Sequence, residues 1–343
     1  MKSDINDHAV TLLLPELLPG GAQPQELGQY KFLQRILAET QPAQVVSASL
    51  ESAVMKWFHG DNAPQQNCAA CLGYRLDHSG AIASQTCLRA DPVYQQMDIN
   101  HAVLADRSLI DVSDTESSAI ITDLNSHFSS DGVRFENGGN GRWYCLFESG
   151  LTVQTTSPGA ATGRNVSLVM PKGPGAGRWR GWLAEIEMLL YTHPVNVNRA
   201  QQGKTLINSL WLWGEGNIAE LRGVDALNRQ VCTDDFYTRS LADNSEVPCN
   251  SLEHFRNLSP GESVLVVEAR MAAARATGNQ QQHESLLQSL ERHVFPKLYQ
   301  GVHRHGWTQA NLWLGDDRWL TLAPGTLWTH AKSFFSRSGL HRG

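Results

Sequence analysis

The sequence predicts an α/β fold into which a segment of α+β character is inserted. Two apolar runs, at 10–14 and 264–267, have the length and composition of buried strands. Apolar residues recur at three- and four-residue steps over 30–39 and 178–192, which is the spacing of helices with one buried face. Strands and helices alternate along most of the chain, whereas 113–192 has the order helix, strand, strand, helix. The first order is typical of α/β proteins and the second of an α+β unit.

The length and the net charge of the chain exclude some classes of function. The 343 residues exceed one average domain and can bury a sizeable core. Lys and Arg total 28 against 34 Asp and Glu, a net charge of -6, and no basic stretch is long enough to follow a phosphate backbone. Direct binding to nucleic acid is therefore disfavoured. The longest apolar runs are strand-sized and the first residues lack a signal-peptide pattern, so we expect a cytoplasmic protein that binds no membrane.

The first part of the chain supplies two helices, several strands and a hairpin. The strand at 10–14 ends at Pro15, and helices are predicted over 30–39 and 49–58, whereas 60–86 has no clear pattern. Extended segments follow at 88–93 and 102–104. Ser113 and Glu116 have capping-box spacing, which starts a helix that runs to about 128. Beyond the turn at Gly132, residues 133–135 and 143–147 are predicted to pair as strands.

The second part continues the alternation. Irregular segments at 152–163 and 171–177 lead into the helix at 178–192, and a strand is predicted at 206–213. Further elements are a strand over 224–232, a helix over 234–242, a strand over 264–268, a helix over 280–298 and a hairpin that joins 310–314 to 319–322. We assign 1–87 and 205–343 to an α/β core and 88–204 to the inserted α+β subdomain.

Neither the cysteines nor the histidines have a metal-binding pattern. Cys68 and Cys71 form an isolated C-x-x-C, with no second pair at zinc spacing. The thirteen histidines are scattered, mostly in polar segments. We expect a reduced cysteine pair without function, mostly exposed histidines, no bound metal and no cofactor.

The run from His193 to Gly214 concentrates the polar and aromatic residues most suited to binding. Pro194 ends the preceding helix and favours an extended backbone at His193. Asn196, Arg199 and Asn208 could donate hydrogen bonds to an anion near a strand end. The alternative is structural: the amides cap or turn the backbone, Arg199 pairs with a carboxylate, and the tryptophans of the strand fill the core. The Gly-x-Gly that ends the run is weak evidence for a phosphate loop.

This run resembles a segment of the archaeal-type, cofactor-independent phosphoglycerate mutases of the alkaline phosphatase superfamily. Its tryptophan-rich strand, Asn208-Ser-Leu-Trp-Leu-Trp-Gly214, is closer to the bacterial RpfE-type regulatory proteins. Further matching pieces are Arg89-Ala-Asp-Pro-Val93, the residues around His127 and Gly132, Arg142-Trp-Tyr144, and Gly163-Arg164-Asn165. The resemblance covers about 88–245. It implies an alkaline-phosphatase-like mixed sheet flanked by helices.

The mutase resemblance also implies two metal ions held by Asp and His around a Ser or Thr that accepts the phosphoryl group. The metal-binding Asp expected after the first strand is absent, because Pro15 and Glu16 stand there, and Glu268 to Arg275 stand where a further Asp and His are expected. Trp213 replaces the Arg usual before the Gly-x-Gly. Only Asp316, Asp317 and His330 could imitate the last Asp-His group, at a stretched spacing.

These observations leave three hypotheses. The leading one is a regulatory or binding protein derived from a phosphoglycerate mutase-like scaffold, without mutase activity. It holds a small anionic ligand, or an acidic group of a protein partner, through six residues: Arg164, Asn165, His193, Asn196, Arg199 and Asn208. The second is a divergent metal-dependent phosphoglycerate mutase or phosphatase. The third is a structural interaction module, which requires Trp211 or Trp213 to be exposed.

Overall fold

A computed structural model describes residues 8–18, 27–43, 49–64, 66–79, 86–97, 101–147, 152–221, 224, 226–259, 261–304, 306–315 and 318–324. Its strands are β1 Ala9–Leu13, β2 Gln41–Pro42, β3 Thr86–Val93, β4 Gln95–Met97, β5 Ala102–Leu104, β6 Val133–Asn137, β7 Trp143–Phe147, β8 Ser209–Trp213, β9 Arg229–Thr233, β10 Cys249–Asn250, β11 Ser263–Val267, β12 Gln309–Trp313 and β13 Trp319–Leu322. Its helices are α1 Lys31–Glu39, α2 Leu50–His59, α3 Ala69–His78, α4 Asp114–His127, α5 Pro158–Ala161, α6 Val166–Val169, α7 Ala176–Tyr191, α8 Pro194–Gln201, α9 Phe236–Asn244, α10 Arg270–Ala276, α11 Gln280–His293 and α12 Phe295–His303.

The chain folds into two compact units, one formed by 64–222 and the other by the residues on either side of that segment. The unit formed by 1–63 and 223–343, called the outer unit because its residues flank the other in sequence, contains a seven-stranded sheet. The strand order is β10-β9-β11-β1-β12-β13-β2. The first five strands are parallel, whereas β13 is antiparallel to both of its neighbours. The predicted α/β class, with a mixed sheet flanked by helices, is confirmed.

The central strand β1 explains why this sheet needs cover on both faces. All of its residues are buried. Val10 and Leu12 join an apolar cluster with side chains of α1, α11 and α12, and α2 also contacts β1. Parallel strands buried on both faces read as continuous apolar runs, as the run at 10–14 does.

The 64–222 unit is α+β. Its four-stranded sheet has the order β6-β7-β3-β8, with each neighbouring pair antiparallel. Side chains of α4 and α7 cover one face of the sheet, where Ile120 and Ile186 share a cluster with Leu88. Ala70 of α3 packs on the other face against Tyr144 and Leu146.

This unit extends beyond the 88–204 segment at both ends. Its sheet starts at Thr86 in β3, and β8, which we assigned to the core, pairs antiparallel with β3 as the edge strand of the same sheet. The helix α3 lies in the stretch at 60–86 that showed no pattern. Its apolar residues are interrupted by Gly73 and Arg75, so its periodicity is weak.

Two further elements differ from expectation. The predicted helix over 280–298 is two helices, α11 and α12, which meet at Val294. Pro296 lies in the first turn of α12, where backbone N–H groups have no acceptor within the helix. The lack of an N–H in proline therefore costs no hydrogen bond there, and a new helix can begin. Two residues separate the end of β11 from the short helix α10. The alanine-rich sequence of α10 favours a helix.

Candidate functional site

The run from His193 to Gly214 contains a helix that the sequence reading treated as a polar connection. His193 is extended, as Pro194 requires, and Pro194 then occupies the first turn of α8. The His193 ring caps this helix, because its Nδ1 accepts a hydrogen bond from the backbone N–H of Val195 at 3.1 Å. Its Nε2 lies 3.1 Å from a carboxylate oxygen of Asp123. The imidazole is buried and links α8 to α4.

The side chain of Asn196 links α8 by hydrogen bonds to the residues that precede β8. Its amide donates to the carbonyl oxygens of Leu190 at 2.8 Å and Ile207 at 2.7 Å, and its oxygen accepts from the N–H of Ile207 at 2.9 Å. Since Asn196 is buried, these bonds satisfy backbone groups that water does not reach. An anion would have to displace them.

Arg199 is also engaged inside the unit. Its Nε donates to the carbonyl of Thr205 at 2.7 Å, and its Nη1 donates to the carbonyl of Asp111 and to Glu116, both at 2.9 Å. Arg199 is 1% exposed. Burial opposes ionisation of Glu116, but the hydrogen bonds from Ser113 and Arg199 outweigh it and lower the pKa of the carboxyl group.

The other three predicted ligand residues are held by separate local contacts. Asn208 exchanges hydrogen bonds with the backbone of Gln95, at 2.7 and 2.9 Å. Asn165 caps α6 by accepting from the N–H of Ser167, and the exposed Arg164 donates to the carbonyl of Ala160. These hydrogen bonds therefore engage each of the six residues with groups of its own surroundings. Their role in binding an anion stays a prediction.

The tryptophans of β8 are structural, which weakens the hypothesis of a tryptophan-rich interaction surface. Trp211 and Trp213 are both buried. Trp211 donates its indole N–H to the carbonyl of Thr156 at 2.8 Å, and Trp213 donates to a carboxylate oxygen of Asp91 at the same distance. Buried indoles need such partners for their N–H groups.

The Gly-x-Gly after β8 serves close packing within the unit. A Cβ at Gly214 would lie 2.9 Å from the backbone nitrogen of Ala70, and one at Gly216 would lie 3.0 Å from the backbone nitrogen of Cys68. Both glycines have positive φ. The start of α3 occupies the space beside them, so the motif has a structural explanation that does not need a phosphate.

An arginine cluster, formed by Arg89, Arg107 and Arg142, lies in this unit, with Arg89 buried and the other two partly buried. Arg89 pairs with Asp91, and its guanidinium lies 5.4 Å from the ring centroid of Tyr144. Arg142 binds Asp77 through two hydrogen bonds, of 2.9 and 2.7 Å. Such paired guanidinium and carboxylate groups orient one another and offset the cost of burial.

Arg107 completes the cluster, and within the described residues its guanidinium forms no ion pair with a carboxylate. It donates instead to the backbone carbonyls of Asn140 and Gly141. Burial lowers the pKa of Arg107. The negative charge of Asp91 opposes this shift, and the nearby charges of Arg89 and Arg142 add to it. Among the described residues, the buried Nε atoms of Arg89 and Arg107 find no hydrogen-bond acceptor. Guanidinium donors left over in this way suit a small anion.

The sequence reading missed this cluster. Arg89 and Arg142 appeared in it only as parts of matching segments, and Arg107 did not appear. The three residues are far apart in sequence, and the pairing of β3 with β7 places the strand that carries Arg89 beside the strand that follows Arg142. Arg89, a charged residue within the buried strand β3, is the signal that the sequence offers, since a buried charge requires a partner.

In the outer unit, the carboxyl ends of the parallel strands carry a second polar group. Glu268 follows β11, its side chain is 3% exposed, and both of its oxygens bind the guanidinium of Arg270. Asp234, which follows β9, lies 3.7 Å from the same guanidinium. Glu16, which follows β1, is 4.0 Å from Arg275. Each of these three carboxylates therefore faces an arginine.

These donors do not fit the two-metal site that the mutase resemblance implies. In the part of the chain that the structure describes, no three His, Cys, Asp or Glu side chains converge in a way that could hold a metal ion. A divalent ion needs several carboxylate or imidazole ligands. At Glu268 the guanidinium of Arg270 already neutralises the carboxylate. Asp316, Asp317 and His330, the remaining candidate ligands, lie outside the described residues. Within the described ranges, no helix is long and apolar enough to cross a membrane.

Comparison with known proteins supports part of the resemblance. No protein-family model matches the chain. It is 31% identical over 206 residues to the 2,3-bisphosphoglycerate-independent phosphoglycerate mutase of Methanosarcina acetivorans, which covers 56% of this chain and 51% of that enzyme. It is 28% identical over 141 residues to the corresponding enzyme of Methanosarcina mazei, which covers 40% of this chain and 36% of that enzyme. The chain thus spans about half or less of the length of these curated relatives.

Two solved structures align with most of the chain at low identity. One is a cofactor-independent phosphoglycerate mutase from Thermoplasma acidophilum, with 15% identity, a TM-score of 0.40 and coverage of 92% of this chain and 89% of that one. The other is a Pyrococcus horikoshii protein, with 12% identity, a TM-score of 0.49 and coverage of 93% and 88%. The sequence matches make the chain similar to phosphoglycerate mutases over the matched segments, and the closer likeness to RpfE-type proteins stays a prediction.

Proposed function

We propose that this chain is a binding or regulatory protein of RpfE type, derived from a phosphoglycerate mutase-like scaffold and lacking metal-dependent mutase activity. The ion pair between Glu268 and Arg270 carries the proposal. The carboxylate that follows β11 is buried, and its two oxygens bind a guanidinium of the same chain. Displacing that cation by a metal ion would leave the arginine unpaired and would not add the missing ligands.

Mutase and metal assays test the loss of activity. Purified full-length protein is assayed for interconversion of 3- and 2-phosphoglycerate with added Mn²⁺, and its metal content is measured after dialysis. The Methanosarcina acetivorans mutase serves as the positive control. We expect no turnover and less than one ion per chain. Turnover above the blank together with stoichiometric metal would favour the alternative, a divergent metal-dependent mutase or phosphatase, which the 31% identity to that enzyme supports.

We further propose that the arginine cluster binds the anionic ligand. The charges of Arg89 and Arg142 act on Arg107 there, and two buried Nε atoms lack an acceptor within the described residues. A phosphate or carboxylate group supplies acceptors for both, and phosphoglycerate combines the two groups. The unidentified physiological ligand then belongs to the class of small phosphorylated acids.

Calorimetric titration with 3-phosphoglycerate tests this site. Losing one charge-assisted hydrogen bond costs about 1.5–3 kcal/mol, so Arg107→Ala should weaken binding by roughly tenfold or more. Arg180→Ala is the matched control, because Arg180 is an exposed arginine of the same unit that belongs to neither proposed ligand set. Arg199→Ala tests the ligand set predicted from the sequence. Equal affinity in wild type and Arg107→Ala, or no binding by a folded wild-type protein, would refute the cluster as the anion site.

A further inference from the structure

Two cysteines of the 64–222 unit face each other across packed elements. Cys71 lies on α3, and Cys87 lies on β3, which α3 covers. Cys71 packs against the apolar cluster to which Cys87 belongs, and the neighbouring Cys87 side chain influences the ionisation of Cys71. Neither cysteine is part of a disulfide in this structure. From the sequence alone, Cys87 is too distant from the C-x-x-C pair of Cys68 and Cys71 to complete a familiar motif.

The two thiols differ in their access to solvent. Cys71 is partly exposed, whereas Cys87 is 1% exposed. The hydrogen bond from Cys87 lowers the pKa of Cys71, and burial raises the pKa of Cys87. A reagent from solution therefore meets Cys71 first, and Cys71 is also the thiol that ionises more readily.

We propose that Cys71 and Cys87 form a reversible disulfide when the protein meets a small-molecule disulfide. The thiolate of Cys71 attacks one sulfur of the reagent, which forms a mixed disulfide and releases one reagent thiolate. Cys87 then loses its proton to solvent, and its sulfur attacks Sγ of Cys71 and expels the second reagent thiolate. The two protein thiols are oxidised, and the reagent disulfide is reduced to two thiols.

Cys68 is the competing partner for Cys71. The C-x-x-C spacing places it at the residue before α3, but its sulfur lies beside Gly216 and is oriented toward the carbonyl of Gln66 at 3.8 Å. Cys71 also approaches Gly216, whose carbonyl is 3.5 Å from its sulfur. The contact with the Cys87 thiol nevertheless gives Cys71 a partner sulfur across the helix–strand interface.

The test incubates native full-length protein with oxidised glutathione and then maps its peptides by mass spectrometry without reduction. We expect wild type to yield a peptide pair joined through Cys71 and Cys87, so that these two of its six cysteines no longer carry free thiols. Cys68→Ser should form the same link. Cys87→Ser should instead retain one glutathione on Cys71. Cys249→Ser, which removes the exposed cysteine of the other unit, is the control and should behave like wild type in this region.

Three results would overturn the proposal. The first is a stable glutathione adduct on Cys71 of wild type, which would show that Cys87 does not resolve it. The second is a link between Cys68 and Cys71 that Cys68→Ser abolishes. The third is the retention of all thiols by a protein whose circular dichroism shows that it is folded. Cys71→Ser and Cys87→Ser are compared with wild type by the same spectrum.

Discussion

The carboxylate of Glu268 and the guanidinium of Arg270 form a two-point ion pair at the carboxyl end of β11. Oε1 of Glu268 accepts from Nε of Arg270 at 2.8 Å, and it also accepts from the backbone N–H of Arg270 at 3.1 Å. The arginine thus compensates a buried negative charge and helps to start α10. Because the guanidinium of Arg270 already supplies a positive charge at this edge of the sheet, the Glu268 carboxylate does not need a bound metal cation.

Arg270→Ala should destabilise the protein, because it leaves the Glu268 carboxylate buried without its cation. An unsatisfied buried acceptor costs about 1–3 kcal/mol in the free energy of unfolding. Arg275→Ala removes a partly exposed pair of 4.0 Å and should cost about 0–1 kcal/mol. Urea denaturation of both variants measures the difference. Equal losses would show that the Glu268–Arg270 pair is no stronger than a surface contact.

Local sequence signals predicted most of the regular elements. The capping box of Ser113 and Glu116 begins α4, with both hydrogen bonds formed. The hairpin β6–β7 and the hairpin β12–β13 also pair as expected. Each of these depends on residues close in the chain, for which periodicity and turn chemistry are informative.

Tertiary contacts decided what the sequence reading missed. From the sequence, Pro194 predicts the end of a helix, but proline also suits the first turn of a new helix. The new helix α8 does begin at Pro194, and the side chain of His193 caps it. The arginine cluster depends on strand pairing between distant segments, so its residues could not be grouped from spacing. The polar residues of the 193–208 run suggested ligands because burial, which commits them to internal hydrogen bonds, is not visible in the sequence.

Asn196→Ala should destabilise the 64–222 unit. The change removes two donors and one acceptor that satisfy the backbone groups of Leu190 and Ile207. Leaving such groups unpaired in the interior costs about 1–3 kcal/mol. Asn198→Ala is the matched control, because Asn198 is exposed on the same helix, and its effect should stay within about 0.5 kcal/mol. Thermal melts of both variants measure the difference in stability. If Asn196→Ala melts like wild type, its hydrogen bonds do not stabilise the fold, and ligand binding would again be a possible role for Asn196.

Gly216→Ala should be more harmful than Gly203→Ala. Both glycines have positive φ, which alone costs a residue with a Cβ about 1–2 kcal/mol. At Gly216 the new Cβ would also meet the backbone nitrogen and Cα of Cys68 at 3.0 Å, whereas at Gly203 nothing lies within 4 Å. Overpacking adds about 1–3 kcal/mol. Equal unfolding midpoints in urea would contradict the close approach of the two segments.

The lowered pKa of Glu116 predicts a stability loss in acid. Burial disfavours its charged form, but hydrogen bonds from Ser113 and Arg199 outweigh burial. Because the folded-state pKa is below the unfolded value of about 4.3, ionised Glu116 stabilises the fold above that pH, and the contribution disappears as pH falls through the folded-state value. Glu116→Gln should therefore be less stable than wild type at neutral pH, and its free energy of unfolding should change less between about pH 5 and 3. Asp131→Asn, at an exposed position of the same unit, should keep the wild-type slope. Parallel pH profiles for wild type and Glu116→Gln would show that the Arg199–Glu116 pair contributes nothing to this acid dependence.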